Sequence, residues 1–267
     1  MLPATTLAAR ATCAEFPRAS RLAQLVVEFD TSAGDETYNL LSRSLKLVQP
    51  MLKPLIDTLA PMADMEDEAP AGEEPVEPPP RVQLLFPDEG TAAYARQNWG
   101  ADLPPRTALG SMPRAQLAAG AEVLVFVAPQ ATEVQAVQRL LQQVAERAPT
   151  TIILLVNPKL VDMQSTGYGL VGRELRTMVA EQFAVPFALK TYPEGALYRV
   201  YPEGWTIWAE KPEAEGGYEL AYKSSRRPSG DEIDEYLFAA FDDGEEGAGG
   251  GNPLDGLGAF IKGFQAM

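Results

Sequence analysis

Four short apolar runs constrain this chain more than any other feature. They lie at 25–29 (LVVEF), within RVQLLFPDEG around residue 84, at 122–128 (EVLVFVA) and in TIILLVNP at 151–158. Each is of strand length, rich in Val, Leu, Ile and Phe, and apolar without alternation. Such strands need cover on both faces, which parallel sheets receive from crossover helices.

A helical pattern follows each run. After the first, Tyr38, Leu41, Leu45, Val48 and Leu52 keep helical spacing behind the capping residues Ser32 and Asp35. Pro50 and Pro54 each lack a backbone donor and crowd the preceding turn. The expectation is therefore one helix to about Gln49 and a shorter, distorted one beyond it. TAAYARQNWG follows the second run. ATEVQAVQRLLQQVAER follows the third, with Thr132 as its N-cap and Val134, Val137, Leu141 and Val144 as its apolar stripe. After the fourth, Leu175, Met178, Val179 and Phe183 mark the buried side of another helix. The pattern predicts an α/β fold: a mostly parallel sheet with helices on both faces, in Rossmann-like layering. GALYRVYPEGWTIWAE and GYELAYKSS then alternate and carry aromatics, which predicts three antiparallel strands extending the sheet near the C-terminus.

Charge marks the segments outside this core. The net charge is −15. Residues 62–80 hold seven acids and five prolines without a base, and residues 231–246 hold eight acids without a base. Together these two segments account for the whole excess. The first reads as a disordered acidic insertion, because it lacks the apolar surface to offset its ordering entropy. The expected organisation is a single α/β domain over 1–241, followed by a flexible Gly-rich, acidic linker and a short amphipathic helix over 242–267. The first 14 residues carry Arg10 and no acid, and they are read as a first helix rather than a targeting remnant. A nucleic-acid groove needs a basic surface, so nucleic acid is set aside as a partner.

There is no histidine, and Cys13 is the single cysteine. Ser-His-Asp triads, Cys-His pairs, His-containing zinc sets and internal disulfides are thereby excluded. Gly167-Tyr-Gly169-Leu-Val-Gly172 spells a dinucleotide-binding loop, but a functional one turns directly off its strand. Here the preceding strand ends near Asn157, ten residues earlier. Gly167 and Gly169 read instead as loop residues and Gly172 as the start of a closely packed helix. No cofactor, metal or catalytic set is expected.

Three strands end in X-Pro: Phe86-Pro87, Ala128-Pro129 and Asn157-Pro158. In a parallel sheet those exits share one edge, where open α/β folds bind ligands. Asp88, Gln130, Asn157, Lys159 and Asp162 are the candidate ligand-binding residues there. Asp88 or Asp162 would act as a base, and Lys159 would contact phosphate or carboxylate. The alternative reading has proline stopping the strands, Asp and Thr capping helices and Asn157 satisfying its own loop. The aromatics Tyr192, Tyr198, Tyr201, Trp205, Trp208, Tyr218 and Tyr222 form either a binding face or packing between sheet and helices. Leu254, Leu257, Phe260, Ile261 and Phe264 share one face of the C-terminal segment. They are candidates for contact with a partner or a membrane surface, at most peripherally.

LLFPDEGTAAYARQNW, VLVFVAPQATEV, LLVNPKLVD with GYGLVGRELR, and YRVYPEGW occur in an order that resembles a plastid family of unknown function. That family includes a chloroplast low-photosystem-II-accumulation factor and the extra domain of one chloroplast adenylate kinase. The resemblance covers roughly residues 22–208 and carries over no catalytic residue. It implies a chloroplast protein, in the stroma or on the stromal face of the thylakoid, with photosystem assembly proteins as partners. Two functions follow: a non-enzymatic protein-binding factor in photosystem assembly or maintenance, or a small-molecule enzyme or sensor. The second would bind a nucleotide or phosphorylated metabolite at the carboxyl edge of the sheet.

Overall fold

A computed structural model describes residues 24–33, 39–59, 80–160 and 170–242. The expected first helix, residues 62–79 of the acidic insertion, Asp162, Gly167, Gly169 and the segment 252–267 lie outside them.

The four apolar runs become β1 (Gln24–Asp30), β2 (Val82–Phe86), β4 (Val123–Val127) and β5 (Ile152–Val156). Two further strands join them in parallel: β3 (Thr107–Ser111) and β6 (Ala184–Tyr192). The expected antiparallel extension is β7 (Gly195–Val200), β8 (Trp205–Glu210) and β9 (Tyr218–Ser224). Among the described residues they form one sheet in the order β3-β2-β4-β5-β1-β6-β7-β8-β9.

β3 and β6 were not legible as strands. TALGS has weak β character and takes its place by pairing in register with β2, from Val82 opposite Thr107 to Phe86 opposite Ser111. β6 starts directly after a helix and contains Pro186. The β1–β6 register shifts between Leu25 and Val27, beside that proline. An irregularity of this kind lets a strand hold a residue without an N–H.

Helices cover both faces. α1 (Leu40–Leu59) and α2 (Glu89–Asn98) lie on one side. There Val48, Met51, Leu52 and Leu55, with Ala92 and Ala95, pack on Leu25, Val27, Leu84, Phe86, Val125 and Leu154. α3 (Val134–Arg147) and α4 (Leu170–Gln182) lie on the other. There Val137, Leu140, Val144 and Leu175 meet Val26, Leu85, Leu124, Phe126 and Leu155. α5 (Gly230–Asp242) covers the extension through Ile233 and Leu237, against Leu197, Trp205 and Ile207. Each Val, Leu, Ile, Phe or Met among them contributes about 1.5–3 kcal/mol when fully buried. The central strands are buried at every position from Val82 to Phe86, Val123 to Val127 and Ile152 to Val156, so this interior dominates the fold.

Two local expectations are corrected. α1 does not end near Gln49 but runs unbroken to Leu59. Pro50 and Pro54 are four residues apart and both lie on its exposed side, where water can bond the carbonyls that lack an N–H partner. Asn39 caps this helix, its Oδ1 accepting from the Ser42 N–H at 2.9 Å. Thr132 is not the cap of α3: it lies inside a 3-10 turn (Ala131–Glu133) that Gln130 caps and that leads into the helix at Glu133, and the buried stripe uses Leu140, with Leu141 half-buried. The stripe expected for α4 is present: Leu175 and Phe183 are buried, Met178 and Val179 partly so. Gly172 does pack closely, since a Cβ there would sit 3.0 Å from the Leu160 carbonyl oxygen. No helix among the described residues is long and apolar enough to cross a membrane.

Candidate functional site

The layering parts the chain towards opposite faces at two points of the carboxyl edge. After β5 the chain crosses to α4 on one face, whereas after the adjacent β1 it crosses to α1 on the other. The neighbours β2 and β4 diverge in the same way, towards α2 and α3. Strand ends that part to opposite faces are where open α/β sheets form clefts. Because β2, β4 and β5 are parallel neighbours, their three proline-tipped exits do share one edge. Asp88 and Gln130 stand at the first divergence, Asn157 and Lys159 at the second.

At the β5–β1 divergence Asn157 is 5 % exposed. Its backbone is left-handed, with φ 49°, a conformation asparagine tolerates better than most residues. Its N–H donates to the Val27 carbonyl at 2.9 Å. Its Oδ1 accepts from the Phe29 N–H, and its Nδ2 donates to Ser44 Oγ at 2.8 Å. Ser44 Oγ in turn donates to the Leu40 carbonyl at 2.7 Å. One amide thus joins β5, β1 and α1, a longer reach than its own loop. Nearby, Lys159 Nζ stands 3.4 Å from Asp30 Oδ2; the lysine side chain is 54 % exposed and the aspartate 16 %. The Lys159 N–H donates to the Pro129 carbonyl at 2.8 Å, and Gln130 and Lys159 form a parallel bridge, which ties the two exits together.

At the β2–β4 divergence the polar groups start helices. Asp88 caps α2, accepting from the Thr91 N–H and the Thr91 hydroxyl, both at 2.8 Å. Those bonds hold its carboxyl below the usual carboxylate range. Gln130 forms a capping box with the buried Glu133, whose Oε2 accepts from the Gln130 N–H at 2.9 Å. Such boxes satisfy donors that a helix start leaves open. A hollow of about 140 Å³ lies on the other side of β2, against β3, between Gln83, Leu85, Gly110, Ser111 and Arg114. Ser111 Oγ donates to Glu89 Oε1 at 2.6 Å beside it. Among the described residues no cluster of acids, cysteine or histidine has metal-binding form.

The sequence reading missed a set of charges on the face that carries α3 to α5. Pairing aligns Glu28 of β1, Ala188 of β6, Arg199 of β7 and Trp205 of β8 in one row. Asp30 and Lys190 lie opposite each other two residues further along. Glu28, Asp30, Lys190 and Arg199 are all half-buried. Arg227 reaches over this row from beyond β9. It donates two hydrogen bonds of 2.8 Å to Glu28, and its guanidinium lies 4.8 Å above the Trp205 ring. Arg199 also stands over that ring, at 5.2 Å. The available signal was the period of two in VVEFD, which puts Glu28 and Asp30 on one face of an otherwise buried strand.

The aromatic group does not form one surface. Tyr198, Tyr201, Trp208 and Tyr218 pack on the side of α1, while Tyr192, Trp205 and Tyr222 pack on the side of α5. Burial pushes the Tyr198 hydroxyl up to about 12. The rings serve the two faces of the extension, as alternating strand residues do.

Residues 4–235 match the model of a domain of unknown function (DUF1995), most of the 267-residue chain. No curated protein matches it.

Proposed function

We propose that this chain, which belongs to the domain-of-unknown-function family DUF1995, acts by binding other proteins rather than by catalysis. The observation that carries this reading is the use made of the strand exits. Asn157 spends its amide on Phe29 and Ser44, Asp88 on Thr91, and Gln130 on Glu133. Side chains committed to holding elements together are poorly placed to turn over a substrate. The resemblance to a plastid accumulation factor supports the rest of the proposal. The site of action is the stroma or the stromal face of the thylakoid, and the partners are proteins of photosystem assembly or maintenance. Leu254, Leu257, Phe260, Ile261 and Phe264 are proposed to supply an apolar contact to such a partner or to the membrane surface. Gradient fractionation of thylakoids tests this. Co-migration with a larger complex is expected, weakened by deletion of 252–267. Recovery only as a free monomer argues against it.

A second reading keeps a small anionic metabolite or nucleotide at the β5–β1 divergence. Its support is Lys159, half-exposed and only loosely paired with Asp30. A ligand bound to the folded form alone raises its stability. Melting curves with nucleotides and sugar phosphates are expected to shift in the wild type and not in Lys159→Ala, and flat curves remove this reading.

A further inference from the structure

The segment Arg226-Arg227-Pro228-Ser229 links β9 to α5. It places two arginines three and two residues before a serine in a chain of net charge −15. Residues 227–229 belong to neither helix nor strand, and Ser229 is exposed. Both arginines are held by carboxylates that a stronger anion could replace. Arg226 donates to Glu232 through Nη1, at 3.1 Å, and Nη2, with its side chain 64 % exposed. Arg227 donates to Glu28 with its side chain 44 % exposed. The Arg226 pair is exposed and contributes little, and the Arg227 pair is open to water on the arginine side. Ser229 is the N-terminal cap of α5: its Oγ accepts from the Glu232 N–H at 3.2 Å, and its own N–H donates to Glu232 Oε2 at 2.7 Å.

We propose that Ser229 is a phosphorylation site for an arginine-directed protein serine kinase, and that the phosphate draws Arg227 off Glu28 and Trp205. In the modification, Ser229 Oγ attacks the γ-phosphorus of ATP. The Oγ–P bond forms and the bond from that phosphorus to the β,γ-bridging oxygen breaks. ADP leaves with the electron pair, and the hydroxyl proton passes to the base of the kinase. A basic pair ahead of the serine is what an acidic kinase groove selects through charge complementarity. Ser224 and Ser225 precede the arginines instead of following them, so they do not meet that requirement.

The consequence follows from the local charges. A phosphoserine carries close to two negative charges and three strong acceptors, and it is stabilised at a helix start and opposite arginines. At Ser229 it takes the place of Glu232 as partner of Arg226, while repelling Glu232 and Asp231. Arg227, two residues away, is drawn to the same dianion. Its departure removes the contact that ties β1 to the far edge of the sheet and uncovers Trp205, which is 2 % exposed with the pair in place.

The test treats the full chain with ATP and the catalytic subunit of an arginine-directed kinase, beside a peptide of residues 222–233 as a control for kinase activity. Phosphate at Ser229 is expected by mass mapping, with complete loss in Ser229→Ala. Modification of the peptide but not of Ser229 in the folded chain, or modification at Ser224 or Ser225 instead, overturns the site. Acrylamide quenching of tryptophan fluorescence reads the second half. Quenching is expected to rise in the phosphorylated wild type and to show no further rise when Glu28→Ala is phosphorylated. Unchanged quenching of fully modified wild type overturns the release of Arg227.

Discussion

Arg227 and Glu28, 199 residues apart in the chain, are joined by two parallel hydrogen bonds of 2.8 Å. Glu28 belongs to a central parallel strand and Arg227 to the segment beyond the last antiparallel one. The pair therefore spans the two halves of the sheet on the face that carries α3 to α5. The guanidinium also stacks over Trp205, so it combines a charge-assisted fork with a cation–π contact.

Arg227→Ala is expected to lower stability by roughly 1–2 kcal/mol, the sum of a partly exposed ion pair and a cation–π contact. Glu28→Ala loses only the ion pair and falls less. A double-mutant cycle by urea unfolding is expected to give a coupling near 0.5–1 kcal/mol. A coupling of zero removes the pair as a link between the halves.

Asn157→Ala removes the side-chain acceptor of the Phe29 N–H and the donor to Ser44 Oγ, while Ser44 keeps its bond to the Leu40 carbonyl. An unsatisfied buried group costs about 1–3 kcal/mol, and alanine at a left-handed φ adds roughly 1 kcal/mol. Asn157→Gly keeps the backbone conformation and loses only the amide. Chemical unfolding is expected to rank the variants wild type, Gly, Ala in falling stability. If Gly matches the wild type, the amide bridge contributes nothing.

Glu232 is held well below its ordinary 4.5, at about 2, by its bonds to Arg226 and to the Ser229 N–H. A carboxyl depressed in the folded state stabilises fully above its unfolded value and loses that contribution as pH falls towards the folded value. The stability gap between wild type and Glu232→Gln is therefore expected to be constant near neutrality and to close between pH 4.5 and about 2. Hydrogen exchange of the first turn of α5 across that window checks it. A gap that persists at the lowest pH contradicts the assignment.

Glycines on the extension behave oppositely. A Cβ on Gly195 would lie 2.0 Å from the Trp208 carbonyl oxygen and 2.8 Å from Leu237, so Gly195→Ala must push apart β7, β8 and α5. Overpacking of this sort typically costs about 1–3 kcal/mol or more. Nothing lies within 4 Å of a Cβ on Gly230, at the start of α5. Gly230→Ala is expected to stabilise by roughly 0.4–1 kcal/mol. Thermal melting of the two variants in opposite directions is the expected result.

The four central parallel strands were readable because each holds a run of Val, Leu, Ile and Phe long enough to identify singly. The helix faces were readable for the same reason, through spacing. Helix α1 was misjudged at Pro50 and Pro54 because the penalty of a proline depends on what its carbonyl neighbours face, and here they face solvent. β3 and β6 were missed because TALGS and a strand interrupted by Pro186 owe their conformation to the partners beside them. Asp88 and Gln130 were placed at the right edge, and their capping partners Thr91 and Glu133 lie three residues on, within reach of a sequence reading. Asn157 bonds Ser44 from 113 residues away, which no local pattern announces.

By itself the sequence determined the layered α/β class, the neighbourly arrangement of the proline-tipped exits and the antiparallel extension. Those follow from hydrophobic period, which acts over a few residues. Only the tertiary structure decided what the polar groups do. It sent Asn157 to a junction of three elements, set Glu28, Arg199 and Trp205 in one row, and laid Arg227 across it. Hydrogen bonds and ion pairs are short-ranged and directional, so their partners are known only once distant strands stand side by side.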